Sequence, residues 1–488
     1  MSEICALSAV ELARQVRARD LSARDVVGGY LKRIADINPR VNAIVTLVAD
    51  RAMEHAAAAD EAQARGEALG PLHGLPIAHK DLQPTRGIRT TFGSPIYRDF
   101  VPDEDSLLVE RARSAGAIAI GKTNTPEFGA GSQTFNAVFG ATLNPYDLTK
   151  TCGGSSGGAA VALACNMLPL ADGSDMGGSL RNPASFCGVV GLRTSPGRVP
   201  VWPSMAAWSP LSVDGPMGRS VEDVALLLSA IAGPDNRSPI ALDDPGAMFS
   251  APLDRDFKSV RVAWWRDLGG LPVDPRVKAV VDHQRGIFES LGCIVEEAEP
   301  RFAGFDAVFR TLRAMAFLIG VAERIRGQHD QVKDTILWEI ERGERLTPAE
   351  IARAEGIRTE LYDRMRRFMD TYEFFVLPVA QVPPFDVNEP YVTKIDGVAM
   401  ETYIDWMKSC YYISVVGNPA ISVPAGFTPE GLPVGLQIVA RHRDDWGLLQ
   451  IAHAFECARA EIRRPMQPDW RRQFPIRGGR KKEQEDKR

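Results

Sequence analysis

An α/β fold is expected from three features of the 488-residue sequence. First, the apolar run 159–171 reads as a buried helix followed by a strand. It is bracketed by Gly153-Gly154-Ser155-Ser156-Gly157-Gly158 and by Asp172-Gly173-Ser174-Asp175-Met176-Gly177-Gly178-Ser179-Leu180-Arg181. Second, a strand at 260–265, a helix over 275–290 and a strand over 293–297 complete a β-α-β pattern, consistent with one growing sheet. Third, segment 8–66 reads as helices, a packing scaffold. Length admits one large domain or up to about three ordinary ones. An apolar fraction of 45% suits a globular chain with a sizeable core.

The elements follow in order. Ser8 is an N-cap with Glu11 three residues on, and Ser22 with Asp25 repeats the device. Val26, Val27, Tyr30, Leu31 and Ile34 then form an apolar stripe. From Leu75 the texture changes to short strands and loops. Ser106 opens a helix that stops near Gly116, and 117–120 is a buried strand. The αβ core continues to about 232, and the Pro- and Asp-rich stretch 233–256 reads as a surface linker. Residues 305–373 are mostly helical and charged, with a start signal at Thr347-Pro348-Ala349-Glu350. They are expected to form part of a substrate-pocket wall. Segments 374–378, 421–424 and 436–440 read as buried strands. The last twelve residues, 477–488, form a charged, disordered tail. There is no internal repeat of 20–50 residues.

A net charge of −5 marks no nucleic-acid or acidic-membrane binder. Seven cysteines without close C-x-x-C spacing argue against a disulfide framework or a zinc site and fit a reducing cytoplasm. The N-terminus lacks a signal-peptide core. The most apolar run, 157–171, is too short for a membrane span and contains Asn166. A soluble cytoplasmic protein is expected.

Two serines in glycine-rich loops suit a nucleophile beside an oxyanion hole, because glycine lets backbone N–H groups approach a ligand. A serine needs something to take its proton. Seven histidines are present, and His73 and His79 lie near Lys80, so spacing alone leaves a Ser–His system open. Gly153-Gly154-Ser155-Ser156-Gly157 also fits the G-x-S-x-G elbow, but the preceding 144–150 is loop-like and no downstream Asp…His order stands out. Gly116-Ala-Ile-Ala-Ile-Gly121-Lys122-Thr123 matches the phosphate-loop pattern letter for letter. Its middle positions favour a strand, which argues against nucleotide binding.

The stretch from Gly153 through 174–200 strongly resembles the amidase signature family of serine hydrolases acting on carboxylic amides. Gly74-Leu75-Pro76-Ile77-Ala78-His79-Lys80-Asp81, 121–128 and Gly417-Asn418-Pro419-Ala420-Ile421-Ser422-Val423-Pro424 fit it too, so the resemblance spans nearly the whole chain. It implies one α/β/α domain over 1–476, with a central mixed β-sheet covered by helices on both faces. Its parts would be N-terminal helices 8–66, a signature core of about 70–232, and a C-terminal sheet and helices of about 257–470. It also implies a buried, neutral Lys80 as base, Ser155 as proton relay after a cis peptide bond, and Ser179 as nucleophile forming an acyl-enzyme. The N–H groups of Met176, Gly177, Gly178 and Ser179 would hold the oxyanion. No metal or organic cofactor is required. Relatives are commonly dimers, so a homodimer is an expectation by analogy.

Members of the family differ outside the signature. Residues 207–216 depart from the Ser-Ser-Leu-Asp-Gln type segment of the tRNA-dependent amidotransferase A subunit. Trp202, Met205 and Trp208 point to an apolar pocket beside the nucleophile. The expected substrate is therefore a small acyl or aryl amide. The alternatives are a carbamate or ester hydrolase, a non-enzymatic binding module and a glutaminase A subunit.

Overall fold

The computed structural model describes residues 3–462. Its first long helices begin where the sequence supplies caps. Ser8 accepts the Glu11 N–H at the head of α1 (Ala9–Ala18), and Ser22 and Asp25 form a reciprocal capping box on α2 (Ala23–Val41). The all-helical reading of 8–66 then needs correction, because β1 (Ile44–Leu47) separates α2 from α3 (Ala49–Ala64). Asn42 stops α2 in a left-handed conformation, and the Asn38 side chain holds the N–H groups of Ala43 and Ile44. The β-branched run that follows is thereby released into a strand.

Ten more strands join β1: β2 (Pro76–Lys80), β3 (Ile118–Thr123), β4 (Leu170–Asp175), β5 (Val190–Arg193), β6 (Val213–Gly218), β7 (Arg261–Trp264), β8 (Ile294–Glu297), β9 (Phe374–Pro378), β10 (Ala420–Phe427) and β11 (Pro433–Ala440). They form one sheet in the order β1-β3-β2-β4-β6-β5-β10-β11-β9-β7-β8. The sheet is mixed. β2 runs parallel to β3 and β4, and β7 runs parallel to β8 and β9, while the strands between β4 and β9 pair antiparallel. Both halves of the sequence share it. Ile77 and Ala78, and likewise Leu170 and Ala171, fall into different apolar clusters, as alternation along a strand buried on both faces requires. Helices therefore cover both faces.

The helices that matter for the site are α4 (Leu107–Ser114), α5 (Gly157–Ala164), α6 (Arg181–Cys187) and α7 (Val221–Ile231). The helix expected over 275–290 is two, α8 (Pro275–Asp282) and α9 (Arg285–Ser290). They break where the buried Gln284 turns its amide back to Val280 O. Helices α10 (Phe305–Gly320), α11 (Asp334–Arg345) and α12 (Pro348–Thr371) follow, the last with the Thr347–Glu350 capping box. Helices α13 (Lys408–Val416) and α14 (Asp445–Ile462) complete the set. The stretch 233–256 is more than a linker, since Phe249 is buried beside α7. Among the described residues no helix is long and apolar enough to cross a membrane. The expected domain end at 476 and the tail 477–488 lie outside the described residues.

Candidate active site

Lys80 ends β2 with its side chain wholly out of solvent. Three hydroxyls meet its Nζ: Ser155 Oγ at 2.7 Å, Ser156 Oγ at 3.0 Å and Ser174 Oγ at 3.0 Å. A neutral amine has two N–H donors and one lone pair, so three partners saturate it while one of them gives it a proton. Burial lowers the Lys80 pKa from 10.5 to about 7, against the opposing pull of Asp214, Asp175 and Asp172. The backbone beneath is fixed by Asp172, which accepts the Lys80 N–H at 2.9 Å and meets His79 Nδ1 at 2.5 Å.

Ser155 follows a cis Gly154–Ser155 peptide and stands just before α5. The strand-to-helix elbow of the G-x-S-x-G reading is absent, because the residues before Gly153 form loop and isolated bridges. Ser156 shares Lys80. Ser174 is a site residue that the sequence reading misses. Strand alternation places it on the same face of β4 as Asp172, and two polar residues on one face of a buried strand were the available signal.

The loop from β4 to α6 carries Ser179 and is braced by a buried carboxylate. Asp175 accepts the Gly178 N–H at 2.9 Å and the Leu180 N–H at 3.2 Å. Arg181 grips it through Nε at 3.0 Å and Nη2 at 2.8 Å, and Arg193 Nη1 reaches Oδ1 at 3.2 Å. Burial alone would push this carboxyl up, but Arg181 and then Arg193 hold it well below the usual range. Arg181 continues to Cys410 O at 2.9 Å, Ser414 Oγ at 2.9 Å and Gln437 Oε1 at 2.5 Å. Asp175 and Arg181 therefore brace the loop. Gly178 has φ +117°, and a Cβ there would meet Asn182 Nδ2 at 2.6 Å. Its N–H belongs to Asp175, so of the four donors expected for an oxyanion, those of Met176, Gly177 and Ser179 remain without a partner among the described residues. Ser156 N–H donates to Ser179 O at 3.1 Å, which holds the two serine loops together.

A cavity of about 290 Å³ opens over these groups. Ser155, Ser174, Met176, Gly177 and Ser179 line it, facing an aromatic and apolar wall that includes Phe92, Phe128, Trp202 and Phe317. From the helical region 305–373, α10 and the turn after it reach the cavity, whereas α12 does not. Of the three apolar side chains expected at 202–208 beside the nucleophile, Trp202 lines the cavity. Met205 and Trp208 are 51% and 78% exposed and do not line the cavity. The chain turns back there, with Ala206 N–H donating to Ser204 Oγ and Ser209 N–H to Ala206 O, which leaves both side chains outside the turn. Asp214, missed in the sequence, lines the cavity and accepts the Gln83 amide at 2.9 Å. Burial pushes its carboxyl up to about 6.

No histidine is among the lining residues. His79 is engaged by Asp172 within the sheet, which removes the Ser–His alternative from this cavity. The phosphate-loop match is a strand. Lys122 is buried in β3 and donates to Thr85 Oγ1 at 2.8 Å, and a Cβ on Gly121 would lie 2.0 Å from Thr46 O. Among the described residues no group of three or more His, Cys, Asp or Glu is arranged to hold a metal ion.

Known proteins resemble this chain over nearly its whole length. The family model for Amidase matches residues 25–449. The acylamidase of Rhodococcus erythropolis is 37% identical over 459 residues, covering 93% of this chain and 95% of the relative. The A subunit of the glutamyl-tRNA(Gln) amidotransferase from Synechococcus sp. strain CC9605 is 37% identical over 475 residues, covering 91% and 95%. Among solved structures, a bacterial aryl acylamidase of the amidase signature family superimposes with a TM-score of 0.86 at 27% identity. That match covers 93% of this chain and 96% of the other.

Proposed function

The chain belongs to the amidase family of amide-hydrolysing enzymes, and within it we propose a stand-alone hydrolase of acyl or aryl amides that works through an acyl-enzyme on Ser179. One observation carries the mechanism: a wholly buried Lys80 amine lies 2.7 Å from Ser155 Oγ, with its pKa lowered to about 7. At neutral pH about half of it is an uncharged base. Lys80 takes the Ser155 proton while Ser155 takes the Ser179 proton, and Ser179 Oγ bonds to the amide carbon. The carbonyl oxygen gains the negative charge and takes hydrogen bonds from the N–H groups of Met176, Gly177 and Ser179, which have no partner among the described residues. Each such donor lowers a comparable barrier by about 3–4 kcal/mol. The proton on Lys80 returns through Ser155 to the leaving nitrogen, and the C–N bond breaks. Water then enters by the same relay and releases the acid and free Ser179.

The test is a serine-directed fluorophosphonate read by intact mass, alongside anilide hydrolysis. Wild-type protein should take one label and release amine, and Ser179→Ala should do neither. Hydrolysis by Ser179→Ala at the parent rate would remove the assignment. A second reading has support in the equal identity to the amidotransferase relative. It predicts glutamine hydrolysis that appears only in the presence of partner proteins.

A further inference from the structure

The charges lining the cavity are unequally committed. Arg313 is fully engaged, with Glu339 at 2.7 Å, the Tyr403 hydroxyl at 2.8 Å and Met176 Sδ at 3.5 Å. Asp214 holds the Gln83 amide. Arg324, in the turn after α10, also lines the cavity, yet among the described residues its guanidinium has no hydrogen bond and no ion pair. Its neighbour Glu323 pairs with Arg326 instead. What holds Arg324 is the face of Phe92, 5.3 Å from guanidinium carbon to ring centroid. Phe92 in turn stacks on Phe128 with centroids 6.5 Å apart and planes 17° off parallel. With no hydrogen bond or ion pair among the described residues, the Arg324 N–H donors are available, and a guanidinium matches a carboxylate in two-point fashion. Lys333 adds positive charge nearby. Its Nζ lies over Phe135 at 4.3 Å, and a Cβ added to cavity-lining Gly131 would meet it at 3.9 Å, with no carboxylate of the described residues within ion-pair distance.

We propose that the preferred substrates are aryl amides bearing a carboxylate, with the ring against the Phe92–Phe128 wall and the carboxylate on the free N–H donors of Arg324. This narrows the acyl or aryl amidase reading and rests on it. A neutral anilide would fill the aromatic wall but leave the guanidinium donors to water. An anionic one replaces that water with charge-assisted hydrogen bonds.

Two matched pairs place the charge on either side of the scissile bond: 4-acetamidobenzoate against 4-methylacetanilide, and N-phenylsuccinamate against butyranilide. In at least one pair kcat/KM should favour the acid by about tenfold or more, and the preference should shrink as salt is raised. Arg324→Gln should bring that acid-to-neutral ratio close to one, and Arg324→Lys should keep part of it. A ratio of one or less in both pairs overturns the proposal, as does a preference that survives Arg324→Gln. Protection of Ser179 from the fluorophosphonate gives a readout without turnover. There 4-phenylbutyrate should protect at lower concentration than 4-phenylbutan-1-ol in wild type but not in Arg324→Gln, and equal protection in wild type refutes the carboxylate site. Absence of any Ser179 label strikes the parent mechanism instead, and this inference falls with it.

Discussion

Raising the pH through neutrality should switch the enzyme on along the titration of one amine. Burial takes Lys80 from 10.5 to about 7, so at pH 7 the neutral fraction rises from about one in three thousand to about one half. The corresponding free energy is about 5 kcal/mol against the charged form. Below the folded pKa the ammonium cannot accept a proton, so kcat/KM should climb about tenfold per pH unit and level off above about 7. Asp214 is the strongest of the carboxylates that oppose this depression. Asp214→Asn should therefore move the midpoint downward while activity persists. The assay is release of 4-nitroaniline from 4-nitroacetanilide between about pH 5 and about pH 10, with circular dichroism to show the fold intact. A profile flat across neutrality, or a midpoint above about 9, would refute the buried-amine argument. Loss of all activity in Asp214→Asn would refute it differently, by making the carboxyl near 6 the base.

Three further outcomes follow from the same packing. Because the folded Lys80 pKa lies below its unfolded value, the unfolded chain binds more protons between about 7 and 10.5. Stability should rise with pH across that window, and urea titrations should show Lys80→Met flattening the rise while abolishing hydrolysis. Asp175→Asn leaves Arg181 and Arg193 buried without their carboxylate, and should cost about 3–5 kcal/mol in chemical denaturation. A loss under about 1 kcal/mol would show that the brace contributes little. Gly121→Ala should force β1 away from β3 and cost about 1–3 kcal/mol, and calorimetric titration with ATP should show no binding to the parent protein.

Local signals were legible and non-local ones were not. The caps at Ser8, Ser22 and Thr347 are written within four residues and recur in the structure. Ser155 and Ser179 stood out because glycine-rich turns flag places where backbone must approach something closely, whereas Lys80 stood out only through the family resemblance of its motif. β1 was invisible because its four residues sit between two strong helical patterns, and pairing with β3 decides its state. Arg193 could not be assigned to Asp175 from sequence, since their meeting depends on β5 and β4 flanking β6 in the sheet. Trp208 was misplaced for a related reason. Proximity in sequence to a nucleophile says nothing about which way a turn faces. Arg324 lies in a four-residue turn with no motif around it, and only the ring beneath it gives it meaning.

The grip of Arg181 on Cys410, Ser414 and Gln437 spans 229, 233 and 256 positions of chain. On the ribosome, the amine and both hydroxyls emerge long before the seats for that guanidinium exist. The two final strands must be made, and β11 must slide between β10 and β9, before the loop bearing Ser179 can set. A half-translated chain thus carries Lys80, Ser155 and Ser179 without the contacts that brace the Ser179 loop, and that loop is expected to set only after β10 and β11 have paired.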